Sequence, residues 1–175
     1  MWWAFLALLV LALASAAWTG LVGGMWSPTP ARVVHAMLAA AGLEPGETLY
    51  DLGAGDGRII MAAARTGARA VGVEIDPLRC LYIRLRLLWS RPGQAELVRA
   101  DFFRVDLTPA DVVCTYLSQG AVDRLSVKLA HELKPTARVV SYRRPLPGWP
   151  LLHYDAENQV YCYAPPVSQR AAPAS

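Results

Sequence analysis

The chain has 175 residues, long enough for one domain with a sizeable core. Its 17 Lys and Arg against 14 Asp and Glu give a formal charge of +3, too small an excess to argue for nucleic acid and compatible with an anionic membrane surface. Cys80, Cys114 and Cys162 are odd in number and widely spaced, and His35, His131 and His153 form no cluster; this argues against a zinc site or a disulfide framework and predicts three buried, reduced thiols in a reducing compartment.

Trp2 to Trp26 is uncharged and rich in Leu, Ala, Val and Trp, and Arg32 is the first charged side chain. As a helix this stretch would rise roughly 37 Å, which crosses a hydrocarbon core of about 30 Å with some tilt. Trp2, Trp3 and Trp26 fall at its ends, where amphipathic rings prefer to sit. A cleaved signal peptide is the alternative, because Ala14-Ser15-Ala16 fits a small-x-small cleavage pattern. Against it, no basic region precedes the apolar run, and the run continues past that point. The expectation is an uncleaved, single-pass anchor over residues 1–26 in the lipid bilayer, with the later arginines holding the rest on the cytoplasmic, reducing side.

Ser27-Pro28-Thr29-Pro30 breaks the apolar run, and Thr29 is expected to cap a helix with Pro30 at its first position. Val33, Val34, Met37, Leu38 and Ala41 then recur at helical spacing, and Gly42 ends the helix. Thr48 to Leu52 reads as a strand and Asp56 to Arg65 as a helix. The nearly continuous apolar run Ala68 to Ile75 reads as a strand covered on both faces. Asp76 and Pro77 open a helix to about Ser90. Strands at Ala95 to Arg99 and Asp111 to Tyr116, a helix from Gly120 to Glu132 and a strand from Arg138 to Tyr142 follow. Leu151 to Tyr154 and Val160 to Tyr163 alternate about a polar loop, as in a hairpin. A catalytic domain is thus expected over 27–164, followed by a flexible tail over 165–175. The fold class expected is α/β: a Rossmann-like, doubly wound, mostly parallel sheet with a C-terminal antiparallel hairpin, preceded by an N-terminal transmembrane helix.

Chemistry concentrates in "DLGAGDGR", residues 51–58. Gly53, Gly55 and Gly57 follow the first strand, at the edge where open α/β sheets bind ligands. A tight strand-to-helix turn also uses glycine, so the turn alone is weak evidence. Its spacing is Gly-x-Gly-x-Gly, and it carries Asp51 and Asp56, which would repel a pyrophosphate and suit a cationic group. That argues against a nicotinamide dinucleotide. Glu74 ends the second strand, where a carboxylate can accept ribose hydroxyls. Asp101 and Phe102 follow the third, where a carboxylate and a ring can hold a base. Phe102 as plain core and Asp101 as a helix cap are the competing readings. A nucleoside with a cationic tail and no phosphate fits the set, and S-adenosyl-L-methionine meets that description. The candidate cofactor-binding residues are Asp51, Gly53, Ala54, Gly55, Asp56, Gly57, Glu74, Ile75, Asp101, Phe102 and Thr115.

These stretches resemble the class I S-adenosylmethionine-dependent methyltransferases: "DLGAGDGR" their first motif, "VGVEID" their acidic strand end, "RADFF" their adenine-side motif. The resemblance implies Asp51, Gly53 and Gly55 around the methionine, Glu74 at the ribose, and Asp101 and Phe102 at the adenine. In their order after an apolar N-terminus, "SPTP", "DLGAGDGRIIMAAA", "VGVEIDPL", "LYIRLRLLW" and "ARVVSYRRPLPGWP" resemble a narrower group. These are the small membrane-anchored protein-lysine methyltransferases that modify the ATP synthase c subunit and the adenine nucleotide translocase. Arg144 stands where that group has Phe. The resemblance implies a membrane protein with an accessible lysine as substrate. Candidate substrate contacts are Pro28, Thr29 and Tyr116, with Tyr116 the candidate catalytic side chain that walls a lysine channel; a Tyr packed with its hydroxyl satisfied is the alternative. Cys114 to Ser118 lacks the Pro-Pro-aromatic loop of base-amine methyltransferases, so no nucleic-acid substrate is expected. Arg79, Arg84, Arg86 and Arg91 form either a solvated face or a contact for anionic lipid or substrate. A small-molecule or lipid methyltransferase, or a non-catalytic cofactor-binding membrane protein, remain the other functional readings.

Overall fold

The computed structural model describes residues 27–166 together with Trp2, Trp3, Leu6 and Val10. The expected anchor over residues 2–26 and the end of the expected tail therefore lie outside the described residues, apart from those four positions. Among the described residues no helix is long and apolar enough to cross a membrane.

The elements follow the order read from the sequence: α1 (Ala31–Ala41), β1 (Thr48–Leu52), α2 (Arg58–Ala64), β2 (Arg69–Glu74), α3 (Pro77–Ser90), β3 (Ala95–Arg99), β4 (Val112–Thr115), α4 (Gln119–Glu132), β5 (Arg138–Tyr142), β6 (Leu151–Asp155) and β7 (Val160–Tyr163). They build one sheet in the order β3-β2-β1-β4-β5-β7-β6. The first five strands are parallel, and β7 runs antiparallel to both β5 and β6. The order reverses direction between β1 and β4, so the crevice for a ligand opens beyond the carboxyl ends of those two strands.

Alternation along the strands feeds two cores. On one face Leu49 and Cys114 meet Val33 and Met37 of α1, Ile60 of α2 and Ile83 of α3. On the other, Val71, Val113 and Val139 meet Leu125 and Leu129 of α4. Each such side chain contributes about 1.5–3 kcal/mol on burial. The three cysteines are free and buried, as expected.

One local detail differs from expectation. Pro30 has φ −56° and ψ 145°, an extended conformation, so it is the N-cap of α1 and not its first helical residue. No side chain caps α1. Thr29 lies buried one step earlier, where its carbonyl accepts from Arg58 Nη1 at 2.6 Å. By contrast Asp76 does cap α3, accepting from the N–H groups of Leu78 and Arg79 at 2.9 Å each. No helix joins β5 to β6, as the short Pro-rich link in the sequence implies. The link "RRPLPGWP" folds back on the sheet instead, with Leu146 buried in the α4-side core and Trp149 packed against it.

Candidate active site

The carboxyl ends of β1, β2 and β4 enclose a cavity of about 360 Å³. Asp51, Gly53, Ala54, Gly55, Asp56, Glu74, Ile75, Phe102, Tyr116, Pro28 and Thr29 all line it. Three of the expected residues do not. Gly57 sits beneath the loop as the N-cap of α2, against Ile83. Thr115 is buried within β4, its hydroxyl without a partner among the described residues. Asp101 accepts from Phe103 N–H at 3.0 Å and caps the short 3-10 turn Phe102–Arg104, the competing reading of that residue.

The loop conformation is set by its amides. Gly53 and Ala54 both donate to the Val73 carbonyl, at 2.9 and 3.0 Å, and Gly55 donates to Glu74 Oε2 at 2.9 Å. Gly53 has φ +83°, and a Cβ there would stand 3.1 Å from Leu117. Three successive N–H groups thus turn toward β2 and are unavailable to a pyrophosphate, which a dinucleotide loop must cradle. Glu74 Oε1 also accepts from Ile75 and Asp76 N–H at 3.0 Å each. These three backbone donors fix the Glu74 carboxylate at the strand end, where acceptor capacity remains for ribose hydroxyls.

The two aspartates of the loop differ in kind. Asp56 is held by Arg58, with Nη2 to Oδ2 at 2.6 Å, and by Arg86, with Nη1 to Oδ2 at 3.3 Å. Burial alone would raise its carboxyl, but the Arg58 hydrogen bonds and the two guanidinium charges hold it below the ordinary range. Asp56 is therefore already neutralised by the protein, which corrects the expectation that it attracts a cationic ligand. Asp51 is the opposite case. It is 3% exposed, and burial, with the negative charges of Glu74 and Asp56, pushes it up to about 8. No cation among the described residues is paired with it, so a cationic group entering the cavity would meet an uncompensated acid.

Tyr116 packs its ring on Tyr142, centroids 4.6 Å apart, and its hydroxyl makes no hydrogen bond among the described residues. Sequence reasoning missed Arg58, Ile59, Arg79, Leu117, Ser118 and Arg144 as lining residues. Leu117 and Ser118 simply continue β4 past the ligand edge, a signal that was readable. Arg79 and Arg86 were grouped with a surface face, yet Arg79 lines the cavity and Arg86 clamps the loop.

A glycine loop bound to an acidic strand end, at the switch point of a sheet with this order, defines the S-adenosylmethionine-dependent methyltransferase fold. A solved RNA methyltransferase from Salinibacter ruber, in complex with S-adenosyl-L-homocysteine, superposes with a TM-score of 0.77 at 35% identity, covering 85% of this chain and 100% of that one. Residues 51–153 match the ANTKMT methyltransferase domain. A protein-lysine N-methyltransferase of Saccharolobus islandicus is 41% identical over 70% of this chain and 78% of its own length. The human lysine N-methyltransferase of the ATP synthase c subunit is 36% identical over 63% of this chain, which spans about half of that relative (48%). The chain belongs to the ANTKMT methyltransferase-domain family and is an S-adenosylmethionine-dependent methyltransferase.

The residues fit that cofactor. Asp51 supplies an unpaired acid for a cationic group, Glu74 an acceptor fixed by backbone, and Phe102 an apolar wall for a base.

Proposed function

We propose that the chain is a protein-lysine N-methyltransferase acting at a membrane, with residues 2–26 as a single-pass anchor, 27–164 as the catalytic domain on the cytoplasmic side and 165–175 as a tail. The observation that carries the substrate reading is the cavity lining, to which Pro28, Leu117 and Tyr116 contribute, with a phenol hydroxyl that has no protein partner among the described residues. The archaeal relative, named for protein lysine and matched over most of its length, supports it. So does the sequence Thr115-Tyr116-Leu117-Ser118, which lacks a proline clamp for a flipped base.

When bound, S-adenosyl-L-methionine supplies an electrophilic methyl group on a sulfonium. Asp51 balances positive charge at the floor, Glu74 and the glycine loop orient the nucleoside, and Phe102 covers the base. Methyl displacement needs alignment and a neutral nucleophile. Free lysine titrates near 10.4, and an apolar wall disfavours its charged form, bringing the neutral amine within reach of neutral pH. The Tyr116 hydroxyl accepts from or donates to that amine and fixes its direction. No dedicated base is required.

The likeness to the Salinibacter enzyme favours RNA as the second reading. Purified protein, radioactive methyl donor and membranes from cells lacking the gene separate the two, with total RNA and lipid extract as parallel acceptors. The expected result is a labelled protein that yields methyl-lysine on hydrolysis, with Tyr116→Phe slowing transfer roughly three- to tenfold, the loss of one hydrogen bond. Label confined to RNA or lipid would overturn the reading.

A further inference from the structure

The outer face of α3 is unusual for a helix on a folded domain. Leu78, Leu81, Tyr82, Leu85, Leu88 and Trp89 recur at i, i+3, i+4, i+7, i+10 and i+11, the spacing of one helical stripe. All six are exposed, Leu88 at 71% and Trp89 at 89%. The core-facing side of the same helix is occupied by Cys80 and Ile83. The apolar stripe is thus a second one, turned outward. Scattered exposed leucines are ordinary; a continuous stripe of six large side chains marks an interaction surface.

The charges beside the stripe select its partner. α3 contains no acidic residue. Arg84 lies on one flank and Arg91 is the C-cap that follows the last turn, both exposed and without a salt bridge among the described residues, while Arg79 and Arg86 line the other flank and turn to the cavity and to Asp56. Arginines bordering an outward stripe of Leu, Tyr and Trp form the pattern of a helix that lies in the headgroup region of a bilayer, guanidinium groups at phosphates and apolar side chains toward the acyl chains. The position of the stripe agrees. Arg79, in the first turn of α3, shares the cavity wall with Ser27 and Pro28, the residues that directly follow the apolar N-terminal stretch.

We propose that α3 is an interfacial helix that docks on an anionic lipid surface and lays the cavity mouth against it. The inference extends the membrane part of the function proposed above and relies on it for the presence of a bilayer, but its grounds are the side chains of α3. A protein bound in this way has its lysine-facing rim held at headgroup depth, where a lysine near the end of a membrane segment would be found.

The test uses the full chain reconstituted in vesicles. Because Cys80, Cys114 and Cys162 are buried, a nitroxide on Leu88→Cys or Leu85→Cys reports the stripe, and one on Val127→Cys, exposed on α4 across the sheet, serves as the control. In vesicles containing phosphatidylglycerol, labels at 88 and 85 should gain collisions with oxygen and lose collisions with a water-soluble nickel chelate, while position 127 stays aqueous. Replacing Arg84 and Arg91 by Gln should lower the docked-to-undocked ratio roughly thirty-fold, from about 1 kcal/mol for each arginine near an anionic surface. Labels at 88 and 85 as aqueous as that at 127 would overturn the proposal. So would dipolar broadening between two labelled chains, or immobilisation at 88 before any anionic lipid is added, since the stripe would then be covered by protein. Methyl transfer by the same samples is scored separately, so loss of docking and loss of the enzymatic reading are told apart.

Discussion

Asp51 is the residue on which cofactor binding and stability pull in opposite directions. Its carboxyl ordinarily titrates at 3.8, and in the folded chain it titrates at about 8. Between those values the folded state holds a proton that the unfolded state has released. Its stability therefore falls as pH rises from about 4 toward 8 and is level beyond. Asn in its place keeps the shape and removes the ionisation. Asp51→Asn should flatten that slope and stabilise the ligand-free protein near pH 7 by on the order of 4 kcal/mol, read from urea unfolding at pH 5 and pH 8. Parallel slopes for variant and wild type would show that Asp51 is not the titrating group. The importance of Asp51 was legible in the sequence, because a strand-end acid beside a glycine turn stands out. The fate of Asp56 was not. Its partner Arg86 is thirty residues away and reaches it only because α3 packs beside the loop. Two neighbouring aspartates that look alike in sequence thus differ in charge state through side chains that only the fold brings together.

At the scale of elements, the descent of α2 onto the sheet depends on Gly72 in the middle of β2. A Cβ there would stand 3.0 Å from both the Ala54 Cβ and the Ile60 Cδ1 atoms. Ile60 can rotate away; Ala54 belongs to the glycine loop and cannot move without the loop. Gly72→Ala should cost about 1–3 kcal/mol as an overpacked core and weaken cofactor binding although it lies outside the cavity wall. The urea midpoint and the cofactor Kd read the two effects, and an unchanged Kd would show that the loop is uncoupled from that packing. Most element boundaries were legible from periodicity and caps: Asp76 with Pro77 for α3, Gly42 for α1, the alternating hairpin strands. The start of α1 was not, because Thr-Pro and Pro-first-turn patterns are the same letters. Only the extended ψ of Pro30 decides between them. The link "RRPLPGWP" was recognised as lacking a helix, but its docking through Leu146 and Trp149, and the presence of Arg144 at the cavity, depend on long-range packing with no local signature.

For the whole molecule, strand order places every functional feature at one edge. β1 and β4 diverge there, α3 begins there, and the chain enters the domain there at Ser27 to Thr29. The alternation of strands and helices made this edge predictable. The outward stripe on α3 was hidden, since six apolar residues in a helix read as core until burial shows which of them face out. In the proposed function a cationic donor enters this edge and meets the acid of Asp51. Titration calorimetry with S-adenosyl-L-methionine at pH 7, in two buffers of different ionisation enthalpy, measures that encounter directly. An Asp51 that titrates at about 8 is largely protonated at pH 7 and must ionise beside the cation, so wild type should release roughly 0.9 proton per molecule bound. Asp51→Asn should bind at least about tenfold more weakly and release none, for loss of one charge-assisted contact. Binding by wild type with no proton release, or wild-type affinity in Asp51→Asn, would contradict it.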